Sequence, residues 1–370
     1  MRHHIQDFTV HDYKGIHELS LTGLGSINIL TGNNNSGKTS LLELLSTTLR
    51  PQSIRSWLAG MRMTNSRYTR YYNNTSFFEA LYNMFPCNQK DKHISYDWIQ
   101  DNGAKHSVQM DGVVFQDQLP ESELNKINGI ISASAQTGKT ETDELIDVKG
   151  LKLLISTSDS KQIEMTIYDK QRRLMELMAT ESNENIIFIS SMDYERYLDY
   201  LNVTLQTPNA YTMLLEMLKF FDESIIGLNA IKSDDSVGAI NYLIQSKTHS
   251  RSLPLSAYGD GLKKSVLLLS ALAQAKDGIL LIDEFETGIH TSCMDKVFSL
   301  LLENALKFKV QVFLTSHSKE AISKLLHLSK EIQDNMTVYT LYDYDDNNLV
   351  RRAKCLDAIK MQEQLGMELR

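Results

Sequence analysis

The residues with the clearest chemical potential lie in TGNNNSGKTS, where Gly32, Gly37, Lys38 and Thr39 fit the spacing G-x-x-x-x-G-K-[ST]. In such a loop the backbone N–H groups of Asn33, Asn34, Asn35 and Ser36 can cradle phosphate oxygens, with Ser40 following at the start of the helix. Lys38 can reach the β and γ oxygens, and the Thr39 hydroxyl can ligate Mg²⁺. The apolar strand SINIL before the loop and the helical KTSLLELLSTTL after it supply the context that the motif requires. A second GKT, in QTGKTET, has Ala133 where the first Gly should stand and lacks a flanking strand and helix, so it is read as an exposed loop.

Two further stretches place polar chemistry at the ends of apolar runs. In GILLIDEFETGIH four apolar residues precede Asp283 and Glu284. A strand buried on both faces delivers such acids to the carboxyl edge of a sheet, where ligands bind. Asp283 would hold Mg²⁺ and Glu284 would take the proton of an attacking water; standing alone, a D-E pair would be a solvated turn. VQVFLTSHSKE ends another apolar run in Ser316, His317 and Ser318, where an imidazole can hydrogen-bond a γ-phosphate. A further segment, LPLSAYGDGLKKSVLLLSALA, opens an apolar helix with Ser256, Gly259 and Gly261, a combination of relaxed backbone and free N–H groups suited to an anion or to an ordinary helix cap.

The elements that must position these residues alternate. Short strands fill IQDFTVHDYKGIHELSLTGLGSINILTG, and further strands are expected at ENIIFISS, GILLID and VQVFLTS. Helices are expected at YTMLLEMLKFFDESI and CMDKVFSLLLENALKF, hairpins at LKLLISTSDSKQIEMTIYD and MTVYTLYDYDDNNLVRRAKCL, and a polar helix after the second hairpin. The fold class is therefore α/β, a P-loop NTPase with a largely parallel sheet plus an antiparallel β portion. Residues 1–60 and 186–370 are expected to form the nucleotide-binding head, and 61–185, rich in Asn, Gln, Ser and Lys, an inserted region.

At 370 residues and 42% hydrophobic content the chain can bury a large core, and a net charge of -8 argues against a protein that coats nucleic acid throughout. Three cysteines, Cys87, Cys293 and Cys355, lie far apart and offer neither a zinc site nor a disulfide framework, which fits a reducing cytoplasm. No run approaches the about 20 apolar residues that cross a bilayer, and MRHHIQDFTV lacks the apolar core of a signal peptide.

Taken in order, GNNNSGKT, LSAYGDGLKK, ILLIDEFETGIH and FLTSHS resemble the ABC-type ATPase heads of the SMC, RecF and OLD families. They are most similar to the small AAA-type ATPases related to the OLD (overcoming lysogenization defect) family, without its Toprim nuclease domain. The resemblance implies ATP and Mg²⁺ as cofactors and a head-to-tail dimer, or a higher assembly, in which Ser256, Gly259 and Gly261 of one copy reach the γ-phosphate held by the other. It places Glu286 and His290 in a loop that meets the partner subunit, Tyr13 and Lys14 near the nucleotide, and a glutamine loop near ISSMDYERY. It also implies an ATPase that controls a separate effector, a nuclease or toxin, in bacterial antiphage defence. A RecF-like DNA repair ATPase and an ATP-gated scaffold without turnover are the alternatives. For DNA contact the candidate stretch is RPQSIRSWLAGMRMTNSRYTRYY, with Arg50, Arg55, Arg62, Arg67, Arg70, Trp57, Tyr68, Tyr71 and Tyr72; the same arginines would equally serve an oligomer interface. Asp343 and Asp345 give a D-x-D that is read as a hairpin turn.

Overall fold

The structure, a computed structural model, describes residues 4–62, 76–87, 91–128, 144–171, 185–191, 198, 200–232, 240–344 and 347–364. At its centre is a six-stranded sheet in the order β15-β14-β3-β13-β12-β8. Its strands are β3 (Ile27–Gly32), β8 (Ile186–Ile189), β12 (Ile279–Ile282), β13 (Gln311–Thr315), β14 (Met336–Tyr344) and β15 (Asn347–Lys354). Every neighbouring pair is parallel except β14 with β15, the expected C-terminal hairpin.

Both faces of this sheet are covered, which is why INIL, ILLI and VFL are near-continuous apolar runs. Side chains alternate between the two covers. Leu280, Ile282, Val312 and Leu314 enter one core with the long helices α7 (Asp260–Gln274) and α8 (Thr291–Lys307), and with α9 (Lys319–Leu326). Ile279, Leu281 and Phe313 enter another with α1 (Lys38–Leu45) and a second, wholly antiparallel sheet. Two shorter helices, α10 (Lys330–Asp334) and α11 (Cys355–Gln364), flank the terminal hairpin.

The antiparallel sheet runs β2-β1-β4-β5-β6-β7. It joins β1 (Ile5–Tyr13) and β2 (Ile16–Leu21) to β4 (Lys92–Gln100), β5 (Lys105–Pro120), β6 (Leu145–Thr157) and β7 (Gln162–Tyr168). The hairpin expected in the inserted region thus joins the N-terminal strands in one hydrogen-bonded sheet through β4 and β5, which had no sequence expectation, with Phe8 opposite Trp98. The β6–β7 hairpin closes across TSDSK as its alternation predicts, Thr157 N donating to the Lys161 carbonyl at 3.1 Å. Small helices α2 (Leu58–Met61), α3 (Phe77–Tyr82) and α4 (Glu121–Ile127) edge this layer.

A third sheet had no sequence expectation. It consists of β9 (Ile225–Lys232), β10 (Ile240–Ser246) and the short β11 (Leu253–Pro254), packed with α5 (Leu201–Gln206) and α6 (Pro208–Phe221). Leu214 and Leu218 of α6 meet Leu228, Ile244, Leu262 and Val266 in a small core that braces the first turns of α7. No helix among the described residues is long and apolar enough to cross a membrane.

The buried carboxylate of Glu43, 1% exposed, fastens α1 to the antiparallel layer. Its Oε2 accepts from Lys14 Nζ at 2.6 Å and Tyr13 Oη at 3.0 Å, and its Oε1 from Arg62 Nε at 2.6 Å. Burial lowers the Lys14 pKa, an effect that the Glu43 charge opposes. Tyr13 and Lys14, expected near the nucleotide, thus bond to the back of the helix that follows the phosphate loop. Trp57, offered as a base-stacking residue, is instead a core residue at 1% exposure, its Nε1 donating to the Pro51 carbonyl at 2.9 Å. Arg67, Arg70, Tyr68, Tyr71, Tyr72 and the second GKT lie outside the described residues.

Removing one partner of a buried ion pair leaves the others uncompensated, at a cost of about 3–5 kcal/mol. Glu43→Ala should therefore lower the free energy of unfolding by about that amount, and Glu43→Gln by less, as read from urea denaturation midpoints.

Candidate functional site

Three adjacent parallel strands, β3, β13 and β12, end on one edge of the central sheet, and the polar motifs sit at those ends. The phosphate loop leaves β3 through Gly32 at φ +140°, where a Cβ would run into the Leu341 carbonyl. Gly37 at φ +89° starts α1 without a side-chain cap, and a Cβ there would come 2.9 Å from Ile16. The two glycines let the chain turn sharply while leaving the first N–H groups of α1 uncapped, as an anion site at a helix N-terminus requires.

Asn33, Asn34 and Asn35 are exposed, and Ser36 is buried. Lys38 lies back across the loop, donating to the carbonyls of Gly32 at 3.0 Å and Asn33 at 2.6 Å and to Ser36 Oγ at 3.2 Å. Burial lowers its pKa to about 8, while the carboxylates of Asp283, Glu284 and Asp343 pull the other way. A triphosphate in the loop would add the negative charge that favours the ammonium form.

Opposite, the Thr39 hydroxyl donates to Asp283, 3.1 Å from both carboxylate oxygens. Asp283 also accepts from Thr315 Oγ1 at 2.6 Å, and the same Thr315 oxygen accepts from Glu284 N at 2.8 Å. Glu284 has φ +48°, a left-handed conformation that costs a non-glycine residue about 1–2 kcal/mol. The Thr315 bond holds it there. The sequence marks Thr315 only as part of an apolar strand. Its signal was a hydroxyl residue at the end of an apolar run, one position before Ser316 and His317.

The Glu284 carboxylate is 41% exposed, with Oε1 4.0 Å from His317 Nε2. Acid and imidazole thus stand side by side at the rim, while Asp283 is 6% exposed beneath them. The arrangement can bind a polyphosphate at the loop, place two hard oxygen ligands at Thr39 and Asp283, and present a carboxylate and an imidazole to the terminal phosphoryl group.

The remaining sites fall elsewhere. Ser256 and Gly259 are exposed at the start of α7, and among the described residues no hydrogen bond joins Ser256 to the phosphate loop, the acids or His317. Gly261 faces the Gly288 carbonyl, 3.8 Å from the position of a Cβ. His290 caps α8, its Nδ1 accepting from Ser292 N at 3.3 Å. Asp343 accepts from Asn348 Nδ2 at 2.6 Å within the terminal hairpin; Asp345 and most of ISSMDYERY lie outside the described residues.

Residues 216–323, from α6 through the His317 turn, match the family described as "AAA domain, putative AbiEii toxin, Type IV TA system". A protein named ATP/GTP phosphatase from Helicobacter pylori is 25% identical over 351 residues, spanning 88% of this chain and 89% of that protein. The uncharacterized protein MJECL11 of Methanocaldococcus jannaschii is 34% identical over 114 residues, 30% of this chain and 98% of its own length. Among solved structures, an SMC head bound to the C-terminal winged-helix domain of ScpA is 11% identical and aligns over 96% of this chain and 99% of that one, with a TM-score of 0.48. The SMC head domain from Thermotoga maritima is 9% identical over 95% and 99%, with a TM-score of 0.43. With the phosphate loop, the paired acids and the histidine turn gathered on one sheet edge, the chain is a P-loop ATPase that carries an ABC-type ATPase domain of this AAA family over residues 216–323.

Proposed function

We propose that the protein is an ATP-driven switch in which two copies close head to tail around two ATP and reopen on hydrolysis, thereby controlling a separate effector. The observation that carries this reading is the Thr315 hydroxyl, which ties Asp283 to the backbone of Glu284 opposite Thr39 and Lys38.

In this reading the backbone of Gly32 to Lys38 and the Lys38 ammonium bind the β and γ oxygens. The Thr39 hydroxyl and the Asp283 carboxylate, hard oxygen donors already within 3.1 Å of each other, fit Mg²⁺ and would hold it. Bound there, Mg²⁺ would supply positive charge to the phosphate oxygens. Glu284 accepts a proton from the attacking water, and His317 donates to the terminal phosphoryl group as its charge changes. Ser256 and Gly259, exposed in their own chain, are free to meet the terminal phosphate of a partner, with the α7 N-terminus behind them.

We take residues 1–60 and 186–370 as the head and 61–185 as the inserted region; hydrolysis would reposition that region or a bound effector. The family description, with its toxin and type IV TA system, supports a role beside a nuclease or toxin effector in antiphage defence. Separate free cysteines at Cys87, Cys293 and Cys355 suit the cytoplasm. DNA binding is the weaker reading, because Trp57 is buried and Arg62 is paired with Glu43.

Glu284→Gln should slow ATP hydrolysis by about 10²–10⁴-fold while leaving ATP affinity intact, and should accumulate a dimer with Mg·ATP in size-exclusion chromatography with light scattering. Assembly at saturating Mg·ATP with negligible turnover in the wild type would instead favour the non-hydrolysing scaffold. Lys38→Ala should lose ATP binding in titration calorimetry. Thr315→Val removes a hydrogen bond to a charged group and should cost about 1.5–3 kcal/mol of stability in urea denaturation.

A further inference from the structure

Glu286, which the resemblance places in a loop that meets the partner subunit, has one carboxylate oxygen that gathers the turn carrying His317. Its Oε1 accepts from Ser316 Oγ at 2.8 Å, Ser318 N at 3.2 Å and His317 N at 3.3 Å. These are three consecutive residues at the end of β13. Ser316 is fully buried, and its hydroxyl also accepts from Ser318 N at 3.0 Å, while Ser318 Oγ caps α9 through Ala321 N at 3.2 Å. The second carboxylate oxygen, Oε2, is buried and makes no hydrogen bond among the described residues. The side chain's hydrogen bonding is thus spent entirely on this one turn.

The other end of Glu286 sits in the turn after the paired acids. Thr287 N donates to the Glu284 carbonyl at 3.0 Å and Ile289 N to the Glu286 carbonyl at 3.1 Å, so Glu284 and Glu286 belong to one compact backbone unit. A Cβ added at Gly261, in the first turn of α7, would lie 3.6 Å from Phe221 and 3.8 Å from the carbonyl of Gly288 in this unit.

We infer that Glu286 is a positioning residue: it sets His317 relative to Glu284. The inference rests on the proposed role of His317 at the terminal phosphate. The clamp depends on reach rather than charge, because the accepting atom is one oxygen at a fixed distance from two backbone N–H groups and one hydroxyl. Glu286→Asp keeps the charge and withdraws the oxygen by one methylene. Glu286→Gln loses the charge and leaves an accepting oxygen in place.

The test uses the full chain with Mg·ATP and measures kcat, KM and ATP affinity for the wild type, Glu286→Asp, Glu286→Gln, His317→Ala and Glu286→Asp/His317→Ala. Glu286→Asp should lose kcat by about 10²-fold, the cost of an ångström-scale misplacement, with ATP affinity unchanged. Glu286→Gln should retain a near-wild-type kcat, though with a lower melting temperature because its amide N–H₂ takes the buried, unpartnered place of Oε2; its kcat keeps the test decisive if the shorter acid perturbs folding. The double variant should be no slower than His317→Ala, since Glu286 acts through the histidine. A slow Glu286→Gln beside a fast Glu286→Asp, or losses that multiply in the double variant, would overturn the inference. If His317→Ala is slow while Glu286→Asp turns over like the wild type, this inference alone falls. If His317→Ala matches the wild type, the reading of the histidine falls with it.

Discussion

One hydroxyl holds the candidate site together. Thr315 donates to the carboxylate of Asp283 and accepts from the backbone of Glu284, so β13 fixes both the placement of one acid and the strained backbone of the next. This bridge exists only because β12 and β13 are neighbouring parallel strands in register, Ile282 opposite Leu314, and end together. On the other side of β13, β3 ends in the phosphate loop, and Thr39 closes the circuit onto Asp283. Parallel order thus converts three separate stretches of sequence into one edge, where the strand-end carbonyls, the helix N-terminus and the acids converge.

The strands hold that edge steady because they are buried on both faces. Helices α7, α8 and α9 cover one side and α1 with the antiparallel sheet the other, each taking alternate side chains of the same strands. The phosphate loop itself is anchored from behind. Glu43, three positions beyond Ser40, draws Lys14, Tyr13 and Arg62 onto α1, and Arg62 also reaches Ser40 Oγ at 3.4 Å. Basic residues that look available in the sequence are here the means by which a buried carboxylate is neutralised.

Local rules carried far in reading this chain, and where they stopped has a physical reason. The phosphate loop was legible because Gly32, Gly37, Lys38 and Thr39 must stand at fixed spacing, and the strands around Asp283 and His317 because doubly covered strands are continuously apolar. Thr315 was not legible as a bridge, since its value comes from a partner 32 positions away. Trp57 looked like a stacking surface only while its neighbour Tyr96, 6.2 Å away in an edge-on contact, was unknown. The small β9–β11 sheet escaped notice because its strands are half exposed, and β9 alternates only over its first residues.

What the single chain leaves facing outward is the Ser256–Gly261 segment. Gly259 has an extended backbone, φ −66° and ψ 159°, and open space where a Cβ would stand, so a side chain added there fits its own fold and projects away from it. The most direct test is therefore complementation. Lys38→Ala protomers, which keep an intact Ser256–Gly261 segment, are mixed with Gly259→Glu protomers, which keep an intact phosphate loop, and ATP hydrolysis is measured. A site shared between two copies predicts that each variant alone is inactive and that the mixture regains turnover. A mixture as inactive as its parts, or a Gly259→Glu protein that hydrolyses ATP at the wild-type rate, would contradict it.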